Sequence, residues 1–498
     1  MKWPVKLLKK SIFFTFAIFT FTSCQLGPSY QVTEVEIPSE WKGQNPSLDT
    51  PQVDHWWYVF HDETLNELQD CALANSPTLA IAMEKVIEAR AVAGIHRSAL
   101  FPNINFSPSY CNQESLVKWQ PPPGFALQDS GLNQVIPGLN QVIPGLNQVK
   151  NVYRMRQITD SLPIDYKYQL DLFGKYRGEL NSAIFNAEAE CEAYHAAILT
   201  LTTDLASSFY QMRSLDELIL LLEKTKKVRK DALEVNHARW EGGLTNYIDV
   251  SQASLEYTNA DAELCNALKR RNIAENQIAT LIGTPSSTFK LPHNPLIEAP
   301  PLVPASLPSI VLLNRPDIAE KERQIASQHA LIGVALAAYF PEISLSGQQG
   351  LSSPDLRHLL SWQGHLSSFC ITAIQNIFDA GRKDSNVQAT AARVRQAVKA
   401  YENQVLIAFQ EIDDALSNIE WESRQYESLK KSVDAAAKTA GLSTDRYKRG
   451  LVNYLEVVES ERYLLQAEVS AINVLQLRYF STIQLIKAIG GTWQAPQY

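Results

Sequence analysis

Several large functional classes are closed to this chain by what it lacks. Positive charge is in deficit, with 45 Lys and Arg against 53 Asp and Glu and a net charge of −8. No basic surplus is left to grip phosphates, so a nucleic-acid partner is not expected. No run of eighteen apolar residues occurs, which excludes a membrane-spanning helix and leaves strands or lipid as the only routes to a bilayer. The six cysteines are scattered without a CxxC, so neither a disulfide framework nor a zinc site is indicated. Cys191 and His195 are four apart on a helical stretch, but two residues lack the further ligands zinc requires. GxSxG, HExxH, P-loop and GxGxxG patterns are absent. Asp413 and Asp414 are adjacent and face different directions on a helix, so they are no acid–base pair. No enzyme and no cofactor are expected. At 45% hydrophobic and 20% charged residues the composition is that of a folded chain, not a disordered one.

The first residues are a targeting segment. Lys2, Lys6, Lys9 and Lys10 precede an eleven-residue apolar core, Ser11 to Phe21, and then Thr22-Ser23-Cys24. The core is too short to span a membrane and reads as a secretory signal over 1–23. A Cys directly after small residues resembles a bacterial lipoprotein signal, with Cys24 acylated as the mature N-terminus and Gln25 after it implying the outer membrane; an ordinary cleaved signal with an incidental Cys is the plainer alternative. Removing 1–23 removes four positive charges and leaves −12.

Proline is missing where long helices would need it to be. None of the 25 prolines falls in 164–284 or in 355–495, whereas eight fall in 285–316. The first two stretches permit very long helices; the third reads as an extended linker. Within 164–284, Ala187, Cys191, Tyr194, Ile198, Leu201, Leu205, Ser208, Met212, Leu215, Ile219 and Leu222 alternate spacings of four and three. An offset of 207 brings up Val394, Val398, Tyr401, Val405, Ala408, Ile412, Ala415, Ile419, Glu422, Tyr426 and Leu429. A sustained 3.5-residue repeat means coiled-coil packing. A helix from Lys175 to Arg239 would run roughly 100 Å, so an elongated molecule is expected.

The chain is a duplication. Leu73-Asn75-Pro77 recurs as Leu312-Asn314-Pro316, and FPNI (101–104) as FPEI (340–343), at an offset of 239; RWEGGLTNYIDV (239–250) recurs as RYKRGLVNYLEV (446–457) at 207. The extra first-half residues include the tandem GLNQVIPGLNQVIPGLNQV over 131–149, placed within an exposed loop over 111–161. Four candidate strands are present. Ile104, Phe106 and Tyr110 alternate with polar residues. Ile164, Tyr166, Tyr168, Leu170 and Leu172 do so strongly. Ile343 and Leu345 begin a third, and Phe369, Ile371, Ala373, Gln375 and Ile377 form one face of a fourth. One apolar and one polar face suit a transmembrane barrel, and equally a small soluble sandwich. Four strands cannot close in lipid without exposed edges, so a bilayer would require several chains to pool theirs; three chains give twelve.

Taken in order, Trp56-Trp57 with Phe60 and Asp62, LANSP, FPNI, DLFG (171–174), RWEGGLTNYIDV, LIGTP, LLNRPDI, IFDAGR, RYKRGLVNYLEVVESER and AIGGTW resemble the outer-membrane factor family of tripartite efflux and type I secretion systems, in its lipoprotein branch. The resemblance implies a mainly α fold with transmembrane β: long coiled-coil helices as a periplasmic α-barrel, and four strands per chain in a twelve-stranded barrel of a homotrimer. It divides the chain into signal 1–23, lipid-anchored segment 24–61, first repeat 62–284, Pro-rich linker 285–311, second repeat 312–493 and tail 494–498. Partners implied are outer-membrane lipid, a periplasmic adaptor and an inner-membrane pump. The function implied is a passive exit duct for small molecules. The rival is a non-conducting periplasmic coiled-coil scaffold or adaptor.

Site residues follow from the same resemblance. Glu456 and Glu459, one turn apart, would line an acidic pore constriction favouring cations; on the residues alone, a solvated helix face explains them as well. Arg239 with Trp240, and Arg446 with Tyr447, would hold the periplasmic mouth closed, or merely pack. Gly243, Leu244, Tyr247, Gly450, Leu451 and Tyr454, at two helix turns, are the candidates for adaptor contact.

Overall fold

The two proline-free stretches each fold into a pair of long helices. The computed structural model describes Gly27, Tyr30 and residues 55–118, 152–296, 299–301, 303 and 315–491. The leader over 1–23, Cys24, the tandem at 131–149 and the tail 494–498 lie outside the described residues. After a 3-10 turn at Trp56–Phe60, the helices are α1 (Glu63–Asn75), α2 (Pro77–Ser98), α3 (Lys175–Glu241), α4 (Tyr247–Leu281), α5 (Pro316–Ala337), α6 (Arg382–Lys448) and α7 (Tyr454–Ala488). The duplication is kept to the residue: α2 and α5 have 22 residues each, α3 and α6 have 67, and α4 and α7 have 35.

The repeat is nonetheless not the folding unit. One compact unit is formed by His96–Arg177 with Val334–Lys383, and the other by Gly27–Ile95, Gly178–Gly333 and the chain from Asp384. Each draws on both copies.

The first unit is an antiparallel sheet of β1 (Asn103–Phe106), β2 (Ser109–Lys118), β3 (Val152–Leu170), β4 (Glu342–Ser353) and β5 (His365–Ile374). β1 and β2 both pair with β3 in one unbroken register, from Asn103 opposite Lys167 to Lys118 opposite Val152. They are one strand interrupted at Ser107-Pro108, where proline offers no N–H to the ladder. The sheet therefore has the four strands expected. Two of their limits differ from the sequence reading. Residues 111–118 and 152–161 are strand rather than loop, held by the ladder and by polar pairs such as Arg156 Nε donating to Asn112 Oδ1 at 3.0 Å; without an apolar alternation they carry no period-two signal. The fourth strand starts at His365 and stops at Ile374, because its partner strand ends there with Glu342. Gln375 and Ile377 fall beyond it.

Register carries each face across the whole sheet. One row runs Ile104, Tyr166, Gly347, Phe369, and another Tyr168, Leu345, Ile371; the opposite face runs Asn105, Asp165, Gln348, Ser368. Gln348 donates to Asp165 Oδ1 at 3.0 Å on that polar face. On the apolar face Ile104, Phe106, Phe369 and Ile371 are exposed.

In the second unit the coiled-coil seam is the core. Leu201, Leu205, Ser208, Met212, Leu215, Ile219 and Leu222 are all buried, as are Tyr401, Val405, Ala408, Ile412 and Ala415 in the second copy. The first-copy seam, with Ile412 and Ala415, joins residues of α4 and α7, chiefly Ile278, Ile483 and Leu485, with Trp56 and Trp57 covering one side, whereas Tyr401, Val405 and Ala408 pack in a separate cluster with Ile318 and Ile325 of α5. The described part of the Pro-rich stretch is pinned to this core rather than loose. Arg271 donates to Leu291 O at 2.7 Å and Asn294 N donates to Asp216 Oδ2 at 3.1 Å. Asp216 itself pairs with Arg271 at 3.0 Å.

Candidate functional site at the helix turns

Helices α3 and α6 end in the same hydrogen-bonded turn. Leu244 N donates to Arg239 O at 2.8 Å and Gly243 N to Trp240 O at 2.9 Å; Leu451 N donates to Arg446 O at 3.0 Å and Gly450 N to Tyr447 O at 2.9 Å. This six-residue closure needs a left-handed residue next to last, and Gly243 and Gly450 supply it at φ 70° and 73°. Asn246 and Asn453 then cap α4 and α7, each accepting a backbone N–H. Both hairpins therefore reverse within six residues, and Leu244 and Leu451 are thrust outward.

Beyond the turns the two tips diverge. Tyr247 is 58% exposed and stacks edge-on against Trp240 of its own hairpin, centroids 5.3 Å apart. Its counterpart Tyr454 is 3% exposed. It packs with Ala253, Val457 and Val458 against Leu233 and Tyr447. Tyr454 is thus removed from the adaptor-contact set: it is a core residue between hairpins and offers no surface. Gly243, Leu244, Tyr247, Gly450 and Leu451 remain at the surface.

Of the four expected mouth residues, two meet across hairpins. The Arg239 guanidinium lies over the Tyr447 ring at 4.7 Å, a cation–π contact. Tyr447 Oη donates to Asn236 Oδ1 at 2.6 Å. Trp240 stays within its own hairpin. Arg446 reaches back to Glu456, Nη1 to Oε1 3.0 Å. Glu456 is therefore not a bare carboxylate; its charge is matched from across its own turn. Glu459 is exposed one turn further on.

A buried charge cluster near these tips was not foreseen. Arg229 of α3 pairs with Glu256 of α4 at 2.9 Å, both side chains 6% exposed, and Arg462 of α7 donates to the same Glu256 carboxylate, from Nε at 2.9 Å. Arg229 also donates to Glu256 O at 3.0 Å. Beside them burial pushes the Glu461 carboxyl above the usual range, partly offset by Arg229. The only signal in the sequence is that Arg229 and Asn236 continue the α3 seam at heptad intervals after Leu222. Polar residues in a seam fix register at a cost in stability.

Among the described residues no cluster of three metal-ligating side chains occurs and no helix is long and apolar enough to cross a membrane. The sheet, the coiled-coil helices and the two matched turns form an arrangement shared with known proteins. The family model described as outer membrane efflux protein matches residues 68–284 and 307–491. The solvent efflux pump outer membrane protein SrpC of Pseudomonas putida is 30% identical, aligned over 97% of this chain and 98% of its own. The cation efflux system protein CusC of Escherichia coli is 27% identical over 99% of each. Among solved structures, the outer-membrane channel OprN shares the fold at a TM-score of 0.81 and 23% identity, covering 94% of this chain and all of its own. The open state of the Neisseria gonorrhoeae MtrE outer membrane channel is 26% identical, with a TM-score of 0.78 over 94% of this chain and 98% of its own. With both copies of its repeat inside the family model, the chain belongs to the outer membrane efflux protein family and is an outer-membrane channel of that fold.

Proposed function

We propose that three copies of this chain form a passive exit duct for small molecules, anchored by lipid on Cys24, engaged by a periplasmic adaptor and driven by an energised inner-membrane pump. The observation that carries this reading is the sheet. It has one apolar face across all four strands, and among the described residues β1 and β2 pair only with β3, and β5 only with β4. Unpaired edges in lipid cost several kcal/mol per group, and pooling strands with sister chains removes them. The relatives' descriptions as efflux-pump outer membrane proteins support the same assignment.

At the periplasmic end, Leu244, Tyr247 and Leu451 with Gly243 and Gly450 present the adaptor-facing surface. Glu456 and Glu459 supply the constriction. The Arg446 contact refines that role: the ring's net charge is set by how many carboxylates Arg446 leaves unmatched. In planar bilayers Glu456→Ala with Glu459→Ala lowers cation preference, and Arg446→Ala raises it. An unchanged reversal potential in both variants contradicts the constriction.

The reading is tested by fractionating membranes and running an unheated gel. The expected result is an outer-membrane oligomer that conducts when reconstituted; a periplasmic species that never conducts contradicts it. Labelled palmitate incorporates into the wild type and not into Cys24→Ala; label persisting on the variant overturns the anchor.

A further inference from the structure

One pair of soft side chains is unused by the duct. Cys191 Sγ and His195 Nε2 stand 4.0 Å apart on successive turns of α3. Cys191 is half-buried and His195 exposed, so the pair opens to solvent from one side. The thiol is not consumed by a disulfide: Cys191 is free, as are Cys71, Cys111, Cys265 and Cys370. Packing does not require sulfur at this position. The second copy of the repeat places Val398 and Glu402 at the equivalent sites, and Val398 fills the seam there.

The separation bears on the angle an ion bridging the pair would have. Metal–sulfur and metal–nitrogen bonds of roughly 2.3 and 2.0 Å put the donors about 3.5 Å apart at a tetrahedral angle, and about 4.3 Å apart on a straight line. The 4.0 Å observed corresponds to an angle of roughly 140° at a bound ion, wider than tetrahedral. A two-donor, wide-angle site satisfies a soft monovalent d10 ion, for which thiolate and imidazole are suited donors. It does not satisfy zinc, and among the described residues no third Cys, His, Asp or Glu completes a cluster. Glu190 and Glu192 flank Cys191 and draw cations toward it.

We propose that Cys191 and His195 form a two-coordinate site for one soft monovalent metal ion per chain, copper(I) or silver(I). Binding forms an S–metal and an N–metal bond. The thiol proton leaves to water, and no electron is transferred.

The test uses the full chain, reduced and anaerobic, with copper(I) as probe and its free concentration set by a chromophoric chelator. Alkylation of each cysteine is read by mass spectrometry. Cys191 is expected to be protected at copper concentrations that leave Cys265, an exposed thiol without a His on the next turn, still reactive. His195→Gln should reduce protection of Cys191 to that of Cys265. Protection of both thiols together, or protection of Cys191 that survives His195→Gln, means binding by a thiol alone and overturns the proposal. Copper counted after gel filtration is the second readout, needed if Cys191 resists alkylation. It falls by one equivalent per chain in Cys191→Ser and in His195→Gln; a count unchanged in either variant contradicts the site.

Discussion

The two helical hairpins have identical lengths and identical turns, yet they bury different things. In the first, Tyr247 lies on the surface against Trp240; in the second, Tyr454 is driven into the contact between hairpins. The first hairpin also contributes the buried pair Arg229–Glu256, which the half-exposed Arg462 of the second joins from one side. At the equivalent places the other copy has Ala436, Tyr463 and Leu255. Duplication thus set the lengths and reversals, while the departures from symmetry determine how one hairpin grips the other. Those departures sit toward the end of the hairpins where Arg239 meets Tyr447.

Four experiments bear on this contrast, in falling order of expected effect. Removing Glu256 leaves Arg229 buried without its partner, which typically costs about 3–5 kcal/mol. Glu256→Ala should therefore lower the thermal unfolding midpoint sharply, while Tyr463→Ala, its symmetric counterpart at the surface, should not. Glu256→Leu combined with Arg229→Met should recover most of the loss, because an apolar pair carries no desolvation penalty. Equal effects of Glu256→Ala and Tyr463→Ala would erase the contrast.

Truncating a fully packed aromatic side chain costs about 3 kcal/mol or more, whereas exposed positions stay within about 0.5 kcal/mol. Tyr454→Ala should destabilise the fold in chemical denaturation and Tyr247→Ala should not. The reverse order would mean that the second tip is the exposed one.

The turns are where the copies should behave alike. Alanine at a left-handed position costs about 1 kcal/mol, and nothing crowds a Cβ at Gly243 or Gly450. Gly243→Ala and Gly450→Ala should then cost the same in urea unfolding, and a clear inequality would show that one turn is held by something besides its own backbone.

The smallest effect concerns acid. Burial raises the folded Glu461 carboxyl above its unfolded value, so its ionised form works against folding and the penalty fades as pH falls through the raised value. Glu461→Gln should raise the melting midpoint slightly at neutral pH, and the gap to wild type should close on acidification. A gap that widens instead would mean that the charge is net favourable where it lies.

Much of this was legible because helices and strands announce themselves by period. The missing prolines and the four–three spacing located α3 to within two residues at each end and the buried seam of α6, and the alternation at Ile164 to Leu170 located the core of β3. What was illegible depended on partners distant in sequence. Residues 152–161 lack alternation, and their strand exists because Ser109–Lys118 lies opposite. Tyr454 reads like Tyr247 until the first hairpin is placed beside it. Arg462 meets Glu256 across 206 positions, and neither shows in a local pattern. The Arg446–Glu456 contact spans a turn the sequence does reveal, but which carboxylate the arginine chooses is a matter of side-chain reach.

If this four-stranded sheet is one part of a shared barrel, native mass spectrometry of the protein extracted from outer membranes should find a complex of three chains that keeps its mass on dilution. A stable particle of one chain would show that the sheet is not pooled with sister copies.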